Sequence, residues 1–346
     1  MARPPFRIGK EQVAPGEART VQLPLSRLAD HTRMRLGVRV VHGTKEGPTL
    51  FVSAAIHGDE VLGCEVIRRL IASKALRNPA GTILFVPVVN AYGFVANSRY
   101  LPDRRDLNRS FPGHAQGSLA SQLAATFMRE VVERSEVGID LHTGAIHRAN
   151  LPQVRANLSD RRTDELAGAF GAPVTLDASL RDGSLREAAG EHGTPVLLYE
   201  AGEALRYDPA SVRIGTRGVL RVAEAMGMIR PHKHAGHPTV RVGKSNWLRC
   251  PSGGLLRLDK KLGAHVDKGE VVGKVSDPFG EHDDPLVAPF EGVVIGRLNN
   301  PVVNRGDAAL HVARLPGSGE GGAAEEEAFA VQEAFAAEDP LYDTPL

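Results

Sequence analysis

Four continuous apolar runs constrain this chain more than any other feature: "TLFVSAAI" (49–56), "TILFVPVVN" (82–90), "EVGIDLHTG" (136–144) and "TPVLLYEAG" (194–202). A strand that faces water on one side alternates polar and apolar residues, whereas a run without alternation is buried on both faces. Between the runs lie segments of helical period at 61–76, 118–135, 161–170, 184–191 and roughly 210–228. Strands buried on both faces and separated by helices predict an α/β fold, with a mainly parallel or mixed sheet flanked by helices.

The flanking segments follow other rules. Residues 1–48 mix short alternating stretches such as "TRMRLGVRVVHG" with prolines and glycines, and read as an N-terminal β segment that packs on the α/β domain of 49–232. "RPHKHAGHP" (230–238) reads as a solvated linker, despite its three histidines. From 239 to 314 no helical period survives, and short β-branched pieces recur between turns, which predicts a small all-β module. Residues 315–346 are Gly-rich, then acidic and Ala-rich, and read as a disordered tail with a short helix at 324–336 as the alternative.

Charge and length narrow the function. A net charge of +1 on 346 residues argues against a dedicated nucleic-acid binder. No apolar run approaches the roughly 20 residues that cross a bilayer, and the N-terminus lacks a secretory core, so no membrane partner and a cytoplasmic location are expected. Cys64 and Cys250 match no thiolate metal spacing and read as free thiols.

Three of the four apolar runs end in residues able to do chemistry: His57, His142 and Glu200. In a parallel sheet the carboxyl ends of the strands share one edge, where ligands bind. In "HGDE", His57 and Glu60 sit at the seam between strand and helix, where Gly58 permits a tight bend and Asp59 is placed to cap the helix. Imidazole and carboxylate suit Zn²⁺, and a hydrolytic zinc takes three protein ligands and keeps one position open. His57 and Glu60 can chelate from one bend, with His142 the natural third ligand. The arginine-rich loop "NSRYLPDRRDLNRSFPG" (97–113) places Asn108 and Arg109 before a turn-forming tail. Arginine forks match carboxylates, and an arginine near the metal can polarise a carbonyl.

The blocks "HGDE" (57–60), "SRY" (98–100), "DLNRSFPG" (106–113), "DLHTG" (140–144) and "YEAGE" (199–203) together resemble the succinylglutamate desuccinylase/aspartoacylase family, relatives of the zinc carboxypeptidases. The resemblance covers about residues 35–230. It implies a zinc-carboxypeptidase-like fold with one Zn²⁺ per chain on His57, Glu60 and His142. It implies that Glu200 is the general base and that Asn108 with Arg109 clamps a substrate carboxylate. Arg99 looks like the carbonyl-polarising arginine, with Arg104 or Arg105 as substitutes, and Glu203 is a competing base. "HTGAIHRANLPQVRANL" (142–158) resembles the bacterial deacylase branch, in which Arg155 lines the substrate pocket. The segment 239–314 resembles a biotinyl/lipoyl-like β-sandwich without a modifiable hairpin lysine, a module that packs, shields or oligomerises and so admits a homo-oligomer. The implied activity is zinc-dependent removal of an acyl group from a small-molecule N-acyl amino acid. The alternatives are a metallocarboxypeptidase acting on short peptides and a non-catalytic, zinc-stabilised binding or oligomerisation protein.

Overall fold

The computed structural model of the chain describes residues 3–231, 239–316 and 323–336. Strands β1 (Phe6–Ile8) and β2 (Glu11–Val13) form a small hairpin ahead of a long one, β3 (Glu17–Arg27) with β4 (Arg33–His42). The catalytic region continues through β5 (Lys45–Ala54), α1 (Leu62–Ala72), β6 (Ala80–Val86), α2 (Ala91–Val95), α3 (Leu119–Glu130), β7 (Val137–Gly144) and β8 (Arg148–Ala156). It closes with α4 (Arg161–Phe170), β9 (Val174–Asp177), α5 (Leu185–Glu191), β10 (Val196–Glu203) and α6 (Pro209–Ala225).

The four apolar runs become β5, β6, β7 and β10, and they lie side by side in the order β6-β5-β7-β10, all parallel. Every residue of β7, in the middle, is buried. Antiparallel strands flank this block on both sides: β4 and β3 beyond β6, and β8 beyond β10. The sheet is therefore mixed, with a parallel centre.

Helices start where short polar side chains can take up their first free N–H groups. Ser118, Asp160, Ser184 and Asp208 accept from the third residue onward and open α3, α4, α5 and α6. Leu62, Val66 and Leu70, one turn apart on α1, join Phe170 of α4 and Val219 of α6 in the core on one face of the sheet. Phe127 of α3, Leu185 of α5 and Leu36 of β4 are in the core on the other face. Fully burying one such Leu or Phe contributes about 1.5–3 kcal/mol, so two such cores hold the strand ends at a fixed spacing.

The C-terminal region carries β11 (Val240–Val242), β12 (Ser245–Arg249), β13 (Gly254–Leu258), β14 (His265–Val266), β15 (Val271–Ser276), β16 (Asp283–Val287), β17 (Gly292–Leu298), β18 (Val302–Val303) and β19 (Ala308–Ala313). A four-stranded sheet, β16-β15-β13-β18, shares a core with β12, β17 and β19. This region is not suspended from a linker. Strand β17 pairs antiparallel with β8, and β11 pairs in parallel with β9, so the catalytic sheet runs on into the C-terminal region as thirteen strands.

Two expectations change here. Strands β8 and β9 carry no clear apolar run and were not anticipated. In β8, "RANLPQVRA", the polar Asn150 and Gln153 are buried among apolar neighbours, which breaks the pattern a core strand should show. Within the segment read as a tail, the short helix allowed for at 324–336 is present as α7 (Ala323–Ala336), and it is packed rather than solvated. Its Ala324, Ala328 and Val331 fit a core shared by Leu151 and Val174 of the catalytic region with Val293 and Ile295 of the C-terminal region. An Ala-rich helix face fits such a tight junction. The linker histidines 232, 234 and 237 lie outside the described residues.

Candidate metal centre and cavity

The chain leaves β5 through a strained turn. Ala55 has φ +51, and it is held there because Asn90 N–H donates to its carbonyl at 2.9 Å and Val89 N–H to that of Ala54 at 3.0 Å. Gly58 then runs against α2 so closely that a Cβ would stand 2.0 Å from the Gly93 carbonyl carbon. Only glycine fits that approach. Glu60 N–H closes back on the His57 carbonyl at 3.1 Å, which brings both side chains to the same side of the turn. Glu60 lies two residues ahead of α1 rather than in its first turn. Asp59 does not cap that helix: it is buried and Val61 is the N-cap residue, with no side-chain cap bond.

His57, Glu60 and His142, from two adjacent strand ends, offer ligand atoms within 4.8 Å of one another, all three buried. His57 Nδ1 lies 2.7 Å from Glu60 Oε1 but makes no hydrogen bond, because its geometry does not aim a proton at that oxygen. His142 Nδ1 lies 2.8 Å from Glu60 Oε2. The far nitrogen of each ring meets a second carboxylate: His57 Nε2 pairs with Asp106 Oδ1 at 3.1 Å, and His142 Nε2 with Asp140 Oδ2 at 2.6 Å. A carboxylate on one ring nitrogen fixes the tautomer and turns the other nitrogen's lone pair toward a metal. Asp140 is itself held by Ser53 Oγ at 2.7 Å. The orphaned Nδ1 of His57 and this donor set fit a divalent cation with N and O ligands.

Electrostatics agree. Burial pushes the imidazole pKa values down, yet the carboxylates of Glu60 and Asp106 lift His57 above its usual value, and Asp140 with Glu60 lifts His142 further. Glu60 is held well below the carboxylate range by the two imidazoles, against the cost of its burial. The arrangement favours positive charge between the Nδ1 atoms and Glu60.

Sequence reasoning did not single out Asp106 or Asp140. Asp140 had a usable signal, since residues two apart on a strand share a face and His142 is its i+2 neighbour. Asp106 had none, because its approach to His57 is tertiary. Arg99 bridges Glu60 Oε1 at 3.0 Å and Asp106 Oδ2 at 3.1 Å and lines the cavity. Arg104 and Arg105 are exposed and do not line it.

Glu200 lies on β10, directly opposite His142 of β7 in the strand register. The register slips immediately after it, where Gly202 takes φ +68, and such bulges re-aim side chains beside active sites. Its carboxylate reaches the cavity, receives Asn150 Nδ2 at 2.8 Å and faces Arg155 Nη1 at 3.7 Å. Glu203 is engaged elsewhere, by His147 N–H at 3.1 Å and Asn299 Nδ2 at 2.8 Å, and does not line the cavity. Tyr199 is fully buried and donates to the Ser211 carbonyl.

The cavity beside the cluster measures about 650 Å³, ordinary for a small-molecule site. Asn108 and Arg109 line it, as do Arg148, Arg155, Arg181, Arg186 and Lys244. Asn108 Oδ1 accepts from Leu185 N–H at 2.9 Å, which leaves its amide NH₂ able to donate. Arg186 is lowered to about 10 by burial and by Arg155 and Arg181 beside it, so this wall is strongly electropositive. The C-terminal region supplies Ser245, Asn246, Trp247 and His311 to the cavity, none of them foreseen. Trp247 stacks on His311 at 4.7 Å and carries the Arg148 guanidinium 5.5 Å from its ring centre.

A mixed sheet with a buried His–Glu–His cluster at its parallel strand ends, opening on a cationic cavity, defines an α/β protein with a candidate metal centre. Residues 46–226 match the succinylglutamate desuccinylase/aspartoacylase catalytic domain model, and the chain belongs to that family. It is 30% identical over 284 residues to the N-alpha-acetyl-L-2,4-diaminobutyric acid deacetylase of Halomonas elongata, covering 78% of this chain and 83% of that protein. Its fold is similar to a succinylglutamate desuccinylase/aspartoacylase of Rhodobacter sphaeroides, with TM-score 0.77, 26% identity, and 87% and 96% of the two chains covered. The product-bound ectoine utilization protein EutE (DoeB) of Ruegeria pomeroyi gives TM-score 0.78 and 25% identity over 90% and 98%. Among the described residues no helix is long and apolar enough to cross a membrane.

Proposed function

We propose that the chain is a zinc-dependent deacylase that hydrolyses the amide of an N-acyl amino acid to a carboxylic acid and a free amine. The observation that carries this reading is the convergence of two carboxylate-backed imidazoles and Glu60 beside a cationic cavity that also holds Glu200. His57, Glu60 and His142 would hold the ion through two Nδ1 atoms and one carboxylate. Bound there, zinc supplies a water acidified toward neutrality and a Lewis acid for the acyl carbonyl.

The chain's own residues do the rest. Glu200 takes the proton released as water attacks the acyl carbon, then gives it to the leaving nitrogen. Arg99 keeps the Glu60 carboxylate in place and presents its guanidinium to the developing oxyanion; losing such a donor costs about 10²–10³ in turnover. Arg109 and the Asn108 NH₂ group clamp the amino acid's carboxylate, and Arg155 lines the remaining wall next to Glu200. The similarity to an N-acetyl-diaminobutyrate deacetylase makes an acetylated diamino acid the first substrate to test.

Zinc-loaded protein incubated with a panel of N-acyl amino acids should release acid and amine in equal amounts. Release from short peptides instead would make it a carboxypeptidase. Stoichiometric zinc with no hydrolysis of either class would favour a binding protein.

A further inference from the structure

Glu200 is not oriented by its own strand alone. Asn150 Nδ2 donates to its Oε2 at 2.8 Å, and Arg155 Nη1 faces its Oε1 at 3.7 Å. Both partners lie on β8, and both are secured from β17 of the C-terminal region. Asn150 is the Cα partner of Gly296, and a Cβ built on Gly296 would stand 3.0 Å from Asn150 Oδ1 and 3.1 Å from His311 Cβ. Glycine there lets β17 approach closely enough to wall in the amide. Gln153, opposite Glu200 in the register, donates Nε2 to the Ile295 carbonyl at 3.1 Å and accepts Arg155 Nε at 3.5 Å. Asn150 is 6% exposed at the cavity wall and Gln153 is fully buried, so protein neighbours surround most of both side chains.

We propose that Asn150 is a positioning residue for Glu200, and that the C-terminal region sets it through the close contact at Gly296. The inference rests on the reading of Glu200 as general base. A carboxylate at a cavity wall can turn about its last bond. A buried donor fixed to a sheet holds one oxygen and so sets the plane in which the other lone pairs face the cavity. The C-terminal strands therefore belong to the apparatus that orients the base, not only to the cover over the cavity.

The test uses full-length, zinc-loaded protein. Asn150→Ala should lower kcat about 10–100-fold, with KM within about threefold and zinc content unchanged. Asn150→Asp keeps the volume but replaces the donor by an oxygen, and should lose turnover similarly. In a Glu200→Ala background the Asn150→Ala change should leave the residual rate where it was, because no carboxylate remains to be held. A purely structural role would cost the same in both backgrounds. Gly296→Ala should lower kcat about fivefold by displacing the amide, and lose that effect once Asn150 is Ala. Wild-type kcat in Asn150→Asp, or equal losses with and without Glu200, would overturn the proposal. Wild-type turnover in Glu200→Ala alone is a separate result: it removes the base, and the positioning role with it.

Discussion

Among the described residues, two groups of histidine and carboxylate bring three ligand atoms within 4.8 Å: His57, Glu60 and His142 in the catalytic region, and His265, Asp267 and Glu291 in the C-terminal region. Their residue types nearly coincide, and their surroundings do not. In the first, all three side chains are buried and each imidazole has a second carboxylate behind it. In the second, Asp267 is exposed, and His265 Nε2 meets Glu291 at 3.3 Å at a half-buried site. Lys260 stands beside it, its Nζ donating to the His265 carbonyl at 3.1 Å and paired with Glu270 at 2.5 Å. Composition alone does not make a metal centre. Dry surroundings and a backing carboxylate restrict each ring to one useful lone pair.

The sharpest way to break that contrast is to remove the chemistry at and beside the first group. Glu200→Gln should retain zinc and lose about 10³-fold or more in kcat, measured by amine release, because the isosteric amide cannot take the proton. His142→Ala should lose zinc outright, read by elemental analysis; stoichiometric metal in that variant would mean the third ligand is another residue. Asp140→Asn leaves all three proposed ligands in place and tests the backing carboxylate itself. It should weaken zinc affinity about 10–100-fold in chelator competition.

A smaller effect separates the regions by pH. His311, buried against Trp247 with its Nε2 on Ser245, is lowered to about 3 by burial and then by Arg155. Its pKa in the unfolded chain is about 6.5, so between these values the unfolded state binds the extra proton. Its contribution is full above pH 6.5 and is lost as pH falls toward 3. His311→Gln should remove up to about 2 kcal/mol of the stability lost between pH 7 and pH 5, seen as a flatter Tm against pH. The smallest expected effect is at the second group: His265→Ala should change neither zinc content nor turnover, and a loss of metal there would erase the contrast.

How much of this was legible follows from where each constraint lies. The parallel block was readable because strands buried on both faces must be apolar throughout, and the runs that became β5, β6, β7 and β10 show it. His57, Glu60, His142 and Glu200 could be picked out as candidates because they end or follow such runs, at the strand ends that share one edge of the sheet. Strand β8 was hidden for the opposite reason: Asn150 and Arg155 line the cavity and Gln153 is buried against β17, and their polarity masks the strand. The 324–336 helix could not be distinguished from a solvated tail, because its Ala-rich face gains stability only against the junction it covers.

By itself the sequence determined the local choices: that the four apolar runs are strands, that the strongly periodic segments between them are helices, and which strand ends carry imidazole and carboxylate. Those depend on periodicity and residue chemistry within a dozen positions. Tertiary structure alone decided that Asp106 backs His57, that Arg99 rather than Arg104 or Arg105 reaches Glu60, and that β17 seats on β8 behind Glu200. Each of these is a contact between segments far apart in the chain, and it exists because two packed cores bring separate strands to one edge.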